Sequence, residues 1–219
     1  MKRSLLLIFL LVFISSCSGK KPAAQNKVDT PKLPYMGDFD LVEKTVDGKT
    51  VYDTVFTSIP PFRFINQDNQ VVTEKNYEGK VYIADFFFTT CPSICPKMTN
   101  TLTLVQEKLK GVPEFAILSH SIDPEYDNPS ILKAYAEKNQ ADLKRWNFVT
   151  GDRDSIYDLC ENYYMAYAKK DTLAEGGYVH SGFLILVDKH KYVRGAYDGT
   201  RPELADSIAA DVKLLLKEK

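Results

Sequence analysis

Cys91 and Cys95 stand four residues apart in Thr89-Thr90-Cys91-Pro92-Ser93-Ile94-Cys95-Pro96, directly after the apolar run Val81 to Phe88. If a helix begins here, the two thiols share one face and can grip a soft metal ion or close a disulfide. Both jobs need thiolate. A helix start favours that form, because unpaired N–H groups and the positive end of the helix dipole face the sulfur. Pro96 suits a first turn, where no N–H donor is required.

The other residues able to do chemistry are few, since the chain has four cysteines and three histidines in all. Cys160 falls on the face made by Ile156, Leu159 and Tyr163, which reads as a small buried apolar residue. His120 follows a strand and is expected to face the interior, and His190 sits in a polar turn; both read as structural. Asp123 either steadies a ligand by a hydrogen bond or caps the turn that follows it.

Positioning such a site takes a sheet. From Val81 onward short apolar runs alternate with helical spacing, the pattern of an α/β sheet with strands buried on both faces. Strands are expected over Val81–Phe88, Phe115–Ser119, Asn147–Thr150, Phe183–Val187 and Tyr192–Tyr197, and helices over Met98–Leu109, Pro129–Asn139, Ser155–Tyr164 and Pro202–Lys217. Ahead of them, Val46-Asp47-Gly48-Lys49 between apolar flanks predicts a β-hairpin within Leu41 to Phe56. Phe62–Ile65 and Gln70–Thr73 around Asn66-Gln67-Asp68-Asn69 predict a second. Met165 to Gly177 reads as a flexible excursion. A strand, a cysteine-bearing helix start, further βα units and a closing hairpin plus helix make the order of a thioredoxin-like fold carrying an N-terminal β-hairpin extension.

The N-terminus gives an address. Met1-Lys2-Arg3 and the apolar Leu5 to Phe13 form an export signal too short to serve comfortably as a membrane span. The signal ends in Ile14-Ser15-Ser16-Cys17, which resembles a bacterial lipobox, so residues 1–16 are expected to be removed and Cys17 to carry lipid. Residues 17–34, polar and Pro-containing, read as a tether, and 35–219 as the domain. This places the domain outside the cytoplasm in a bacterial cell envelope, anchored by its lipid to a membrane. After cleavage 26 basic residues face 29 acidic ones, interleaved and without a basic stripe, which excludes nucleic acid as a partner.

The stretch Gly79 to Pro96 closely resembles the Sco/SenC family of copper proteins that serve cytochrome c oxidase assembly. Ser121-Ile122-Asp123-Pro124-Glu125-Tyr126-Asp127-Asn128-Pro129 and Val179-His180-Ser181-Gly182-Phe183 are similar to two further segments of that family, in order. The resemblance spans about Ile59 to Leu216. It implies a copper site of Cys91, Cys95 and His180, a chaperone rather than an enzyme, and cytochrome c oxidase subunit II or another copper acceptor as partner. Two thiolates and an imidazole suit Cu(I) and also hold Cu(II), with zinc the rival ion. A thiol-disulfide oxidoreductase, with Cys91 attacking and Cys95 resolving, is the alternative. Two departures stand out: Ser93 replaces an aspartate common in the family between the cysteines, and Tyr178 to Phe183 lacks the proline that thioredoxin-like proteins place opposite the cysteine pair.

Overall fold

The structure, a computed structural model, describes residues 32–218. Cys17, the expected lipid anchor, the expected cleavage region and residues 17–31 of the expected tether lie outside that range. In chain order the elements are β1 (Phe39–Val46), β2 (Lys49–Phe56), β3 (Arg63–Asn66), β4 (Val71–Thr73), β5 (Val81–Phe87) and α1 (Cys95–Lys108). There follow β6 (Phe115–Ser121), α2 (Pro129–Lys138), β7 (Trp146–Thr150), α3 (Arg153–Asn162), β8 (Ala168–Lys170) and β9 (Tyr178–His180), then β10 (Phe183–Val187), β11 (Val193–Asp198) and α4 (Ala205–Lys217).

The main sheet has seven strands in the order β11-β10-β5-β6-β7-β3-β4. Its kernel is the thioredoxin-like unit: β5 pairs parallel with β6 and antiparallel with β10, which turns back into β11. β5 is central and buried along its whole length, which is why it reads as a continuous apolar run. Successive side chains leave it on opposite faces. Phe87 meets Tyr135 of α2 and Phe148, while Phe86 stacks on His120 and meets Tyr164 just beyond α3. Thr99 of α1 and Tyr135 share a hydrogen bond of 2.8 Å, so α1 and α2 cover one face and the end of α3 the other.

Both expected hairpins form, the first with Asp47 and Gly48 at positive φ as a two-residue turn requires. The flexible excursion is not what forms. Ala168–Lys170 pairs with Tyr178–His180 as a small separate hairpin, closed by the Asp171 N–H to Gly177 carbonyl bond. Three-residue strands reading Ala-Lys-Lys and Tyr-Val-His carry too few positions for alternation to be seen.

The pole of the sheet opposite the cysteines is tied by one residue. Arg194, with a side chain 2% exposed, pairs with Asp188 at 2.8 Å and Glu218 at 3.0 Å, and donates to the carbonyls of Leu33 and Pro34. Tyr35 lies over its guanidinium at 4.2 Å. The last residues of the expected tether are therefore held on the domain.

His120 is buried within β6, with Nδ1 at 3.3 Å from the Asp85 carbonyl and Nε2 without a partner. Burial lowers its pKa to about 4. Asp85, on the other face, is pushed up to about 7 by burial, against a hydrogen bond from Ser119. The two linkages oppose each other. His120 costs stability as pH falls from about 6.5 to 4, because the unfolded state then binds the extra proton, whereas Asp85 costs stability as pH rises from about 3.8 to 7. In an Asp85→Asn variant only the histidine limb remains, so the melting temperature falls on acidification across that window more steeply than in the parent.

Candidate metal centre

The site lies where β5 ends. Cys91 is not on the helix with Cys95: α1 begins at Cys95, and Cys91 sits in the preceding turn with its N–H on the Phe88 carbonyl. Pro92 explains this, because a residue before proline is turned away from helical backbone. Pro96 does occupy the first turn of α1. The chain still brings the thiols together, and β9 delivers His180 to them. The Cys91 and Cys95 sulfurs and a His180 ring nitrogen lie within 4.8 Å of one another.

The imidazole is oriented. His180 Nδ1 is 3.2 Å from the Ser181 carbonyl, which only an N–H can bond, so Nδ1 carries the proton and Nε2 keeps its lone pair. Nε2 faces the Cys95 sulfur at 3.3 Å. Phe88 packs edge-on against the ring, with Tyr178 beside it. Gly176, at φ 79°, presses its Cα toward Phe88 and Pro92, where a Cβ would come within 3.0 Å of the Phe88 ring. This close approach lets the β8–β9 hairpin sit down on the cysteine turn.

The thiols differ. Cys91, little exposed, is drawn well below the usual thiol range by a hydrogen bond from the Cys95 thiol, against burial, with N–H groups of Cys95 and Ser93 adding to the effect. Cys95 is pushed up by giving that bond, by burial and by the charges of Cys91 and Asp85. Cys91 is therefore the thiol that ionises first. Ser93 is exposed, its hydroxyl 3.9 Å from the Cys91 sulfur.

Asp123 forms no hydrogen bond to any of the three. Its carboxylate accepts the Tyr178 hydroxyl at 2.8 Å, two residues before His180, and the turn after it is closed by its backbone carbonyl, which receives the N–H groups of Tyr126 and Asp127. Its side chain thus braces the histidine strand instead of capping the turn. Cys160 is fully buried in the core, and burial raises its thiol to about 12; His190 lies exposed in a turn.

Two carboxylates were missed by sequence reasoning. Asp85 is the one acid in the Val81–Phe87 run, a signal that was available. Asp127, fully buried, accepts from the Thr89 N–H at 3.1 Å, from the Thr89 hydroxyl and from Ser121 at 2.6 Å, pinning the approach to Cys91 onto the end of β6. An Asp127→Asn variant loses part of this set and is expected to be about 1–3 kcal/mol less stable in urea titration, the cost of one buried group left imperfectly paired.

Among the described residues no helix is long and apolar enough to cross a membrane. The family model described as SCO1/SenC matches residues 52–217. A SCO1 protein homolog of Bacillus subtilis is 34% identical over 168 residues, covering 76% of this chain and 86% of that protein. Among solved structures, a SCO1/SenC family lipoprotein from Bacillus anthracis is similar at a TM-score of 0.68 and 31% identity, over 73% of this chain and 95% of that one. BsSco, described as having a disulfide switch and belonging to the Sco family of cytochrome c oxidase assembly proteins, is similar at 0.67 and 35%, over 74% and 95%. Bradyrhizobium japonicum ScoI with copper bound is similar at 0.62 and 28%, over 73% and 99%.

Proposed function

The chain belongs to the SCO1/SenC family, and from that premise we propose that it is a membrane-tethered copper chaperone for cytochrome c oxidase. The observation that carries the reading is the convergence of Cys91, Cys95 and an Nε2-presenting His180 at one end of the sheet. Two thiolates satisfy soft Cu(I), and the imidazole adds a ligand also acceptable to Cu(II). Copper is cargo here, so the protein is a carrier and not an enzyme. The low-pKa Cys91 sulfur, nearer the surface, receives the ion, Cys95 surrenders its proton, and His180 completes the set. Transfer then runs by exchange with the thiolates of the acceptor's CuA site in subunit II. Lipid on Cys17 holds the domain at a bacterial membrane, outside the cytoplasm, a reading supported by the lipobox-like Ile14-Ser15-Ser16-Cys17.

One copper bound per reduced domain, passing to apo subunit II on mixing, is the expected outcome. Absence of specific binding, with a Cys91–Cys95 disulfide that cycles readily, would refute it. A Tyr178→Phe variant unpairs Asp123 and loosens the histidine strand; its copper affinity is expected to fall by about 10- to 100-fold, the usual cost of losing a ligand's support.

The thiol asymmetry favours a second reading, reduction of the acceptor's cysteines. The Cys91 thiolate would attack the acceptor disulfide, and Cys95, losing its proton, would displace the mixed disulfide, leaving a Cys91–Cys95 bond and a reduced acceptor. Disulfide exchange does not need the imidazole. Acceptor reduction that is undiminished in His180→Ala and absent in Cys91→Ser would make the thiol exchange the main activity.

A further inference from the structure

The β1–β2 hairpin stands apart from the main sheet, and among the described residues no strand pairs with either of its edges. Nearly all of its 16 strand residues are exposed on both faces. An isolated two-stranded ribbon is marginal in water, and this one carries large apolar side chains in the open. The register places Phe39 beside Phe56, with Leu41 and Tyr52 on the same face; Phe39 is 54% exposed, Leu41 62% and Tyr52 65%. The other face shows Val42, Val46, Val51 and Val55.

The base of this hairpin is fixed at a known pole. Tyr35 stacks on Phe56 and meets Tyr192, the Met36 N–H bonds the Val193 carbonyl, and Arg194 holds the carbonyls of Leu33 and Pro34. Pairing of Phe183 with Asp198 and of Val187 with Val193 puts Arg194 at the end of the sheet where β5 begins. The metal centre is at the other end, roughly 20 Å away along seven residues of β5.

We propose that the β1–β2 hairpin rests in the headgroup region of the lipid bilayer, so that the domain stands on its Arg194 pole with the metal centre pointing away from the membrane. This rests on the lipid-anchor reading of Cys17. Fourteen residues separate Cys17 from Lys32, a length of chain that can reach at most roughly 50 Å, and an eight-residue strand is roughly 27 Å long. The bilayer is therefore within the hairpin's reach. Exposed Phe and Tyr suit the membrane–water boundary, where an aromatic ring finds apolar and polar surroundings together. Charge adds no pull toward anionic lipid, because Asp40, Glu43, Asp47 and Asp53 outnumber Lys44 and Lys49. The contact is apolar and works on zwitterionic lipid.

The test uses the full chain purified from membranes and reconstituted in phosphatidylcholine vesicles with brominated acyl chains. A Tyr52→Trp variant reports the hairpin and a Tyr126→Trp variant the metal pole, where Tyr126 is exposed. Both sites are on the surface, and the native Trp146 is a fully buried constant background. The added emission of Tyr52→Trp is expected to be largely quenched and that of Tyr126→Trp spared. Equal quenching, the reverse order, or a Tyr52→Trp signal that changes only on adding subunit II would overturn the inference, the last pointing to a protein as the hairpin's occupant. Mass spectrometry of the N-terminal peptide separates the premise. Missing lipid refutes the anchor alone if the chain stays membrane-bound, where quenching still decides, and a soluble chain overturns both.

Discussion

Replacing Cys91 or Cys95 with serine, or His180 with alanine, is expected to lower copper affinity by well more than the roughly 10- to 100-fold that follows loss of a supporting group. Cys95→Ser should be among the most severe. Cys95 lies almost fully buried at the first position of α1, its sulfur 3.3 Å from the His180 ring and within 4.8 Å of the Cys91 sulfur, and serine there offers a hard hydroxyl in place of a soft thiolate. His180→Ala removes an imidazole whose tautomer the Ser181 carbonyl fixes so that Nε2 faces the thiols. Competition titration against a Cu(I) chelator measures all three. The thiol asymmetry adds a second readout on the parent protein. With Cys91 held below the usual thiol range and Cys95 above it, copper loading at neutral pH is expected to release about one proton per ion, and affinity to fall on acidification as that proton is harder to displace. Release of two protons per ion would mean that both thiols begin protonated.

The largest loss of stability is expected from Arg194→Met. Arg194 holds together parts of the chain distant in sequence: Leu33 and Pro34, the Asp188 turn and Glu218 after α4. A methionine of similar length fills the space but leaves the Asp188 carboxylate, 4% exposed, without its partner cation. Removing one member of a buried pair costs about 3–5 kcal/mol, because the surviving charge is stranded. Chemical denaturation measures it. Asp188 keeps the N–H groups of His190 and Tyr192, which sets the expected value toward the lower end of that range. Hydrogen exchange at Met36, whose N–H bonds Val193, should rise as the N-terminal segment comes loose.

Much of this fold was legible because its strands announce themselves. Val81–Phe87 is buried on both faces, so it reads as an unbroken apolar run, and the Asp47-Gly48 turn specifies its hairpin through positive φ. The cysteine pair was legible for the same reason, being short-range and adjacent to that strand. What spacing alone left open was the third member. His180 lies 85 residues beyond Cys95 and reaches it through the β8–β9 hairpin, whose strands are too short to show periodicity. Only resemblance to a family brought it forward. The helical placing of Cys91 failed on one local interaction, the constraint that Pro92 puts on its predecessor. Asp127 escaped notice because its role depends on Thr89 and Ser121 meeting at the ends of two neighbouring strands. Gly199 is a similar case: its N–H bonds the Gly182 carbonyl at 2.7 Å, and a Cβ there would run into Gly182, Leu184 and Met98, a crowding that only the folded chain creates.

X-ray absorption at the copper edge of the Cu(I)-loaded protein, compared with the His180→Ala variant, tests the central claim most directly. Two sulfur scatterers and one nitrogen scatterer in the parent, with the nitrogen lost in the variant, is the predicted result. A copper shell without sulfur, or one unchanged when His180 is removed, would contradict it.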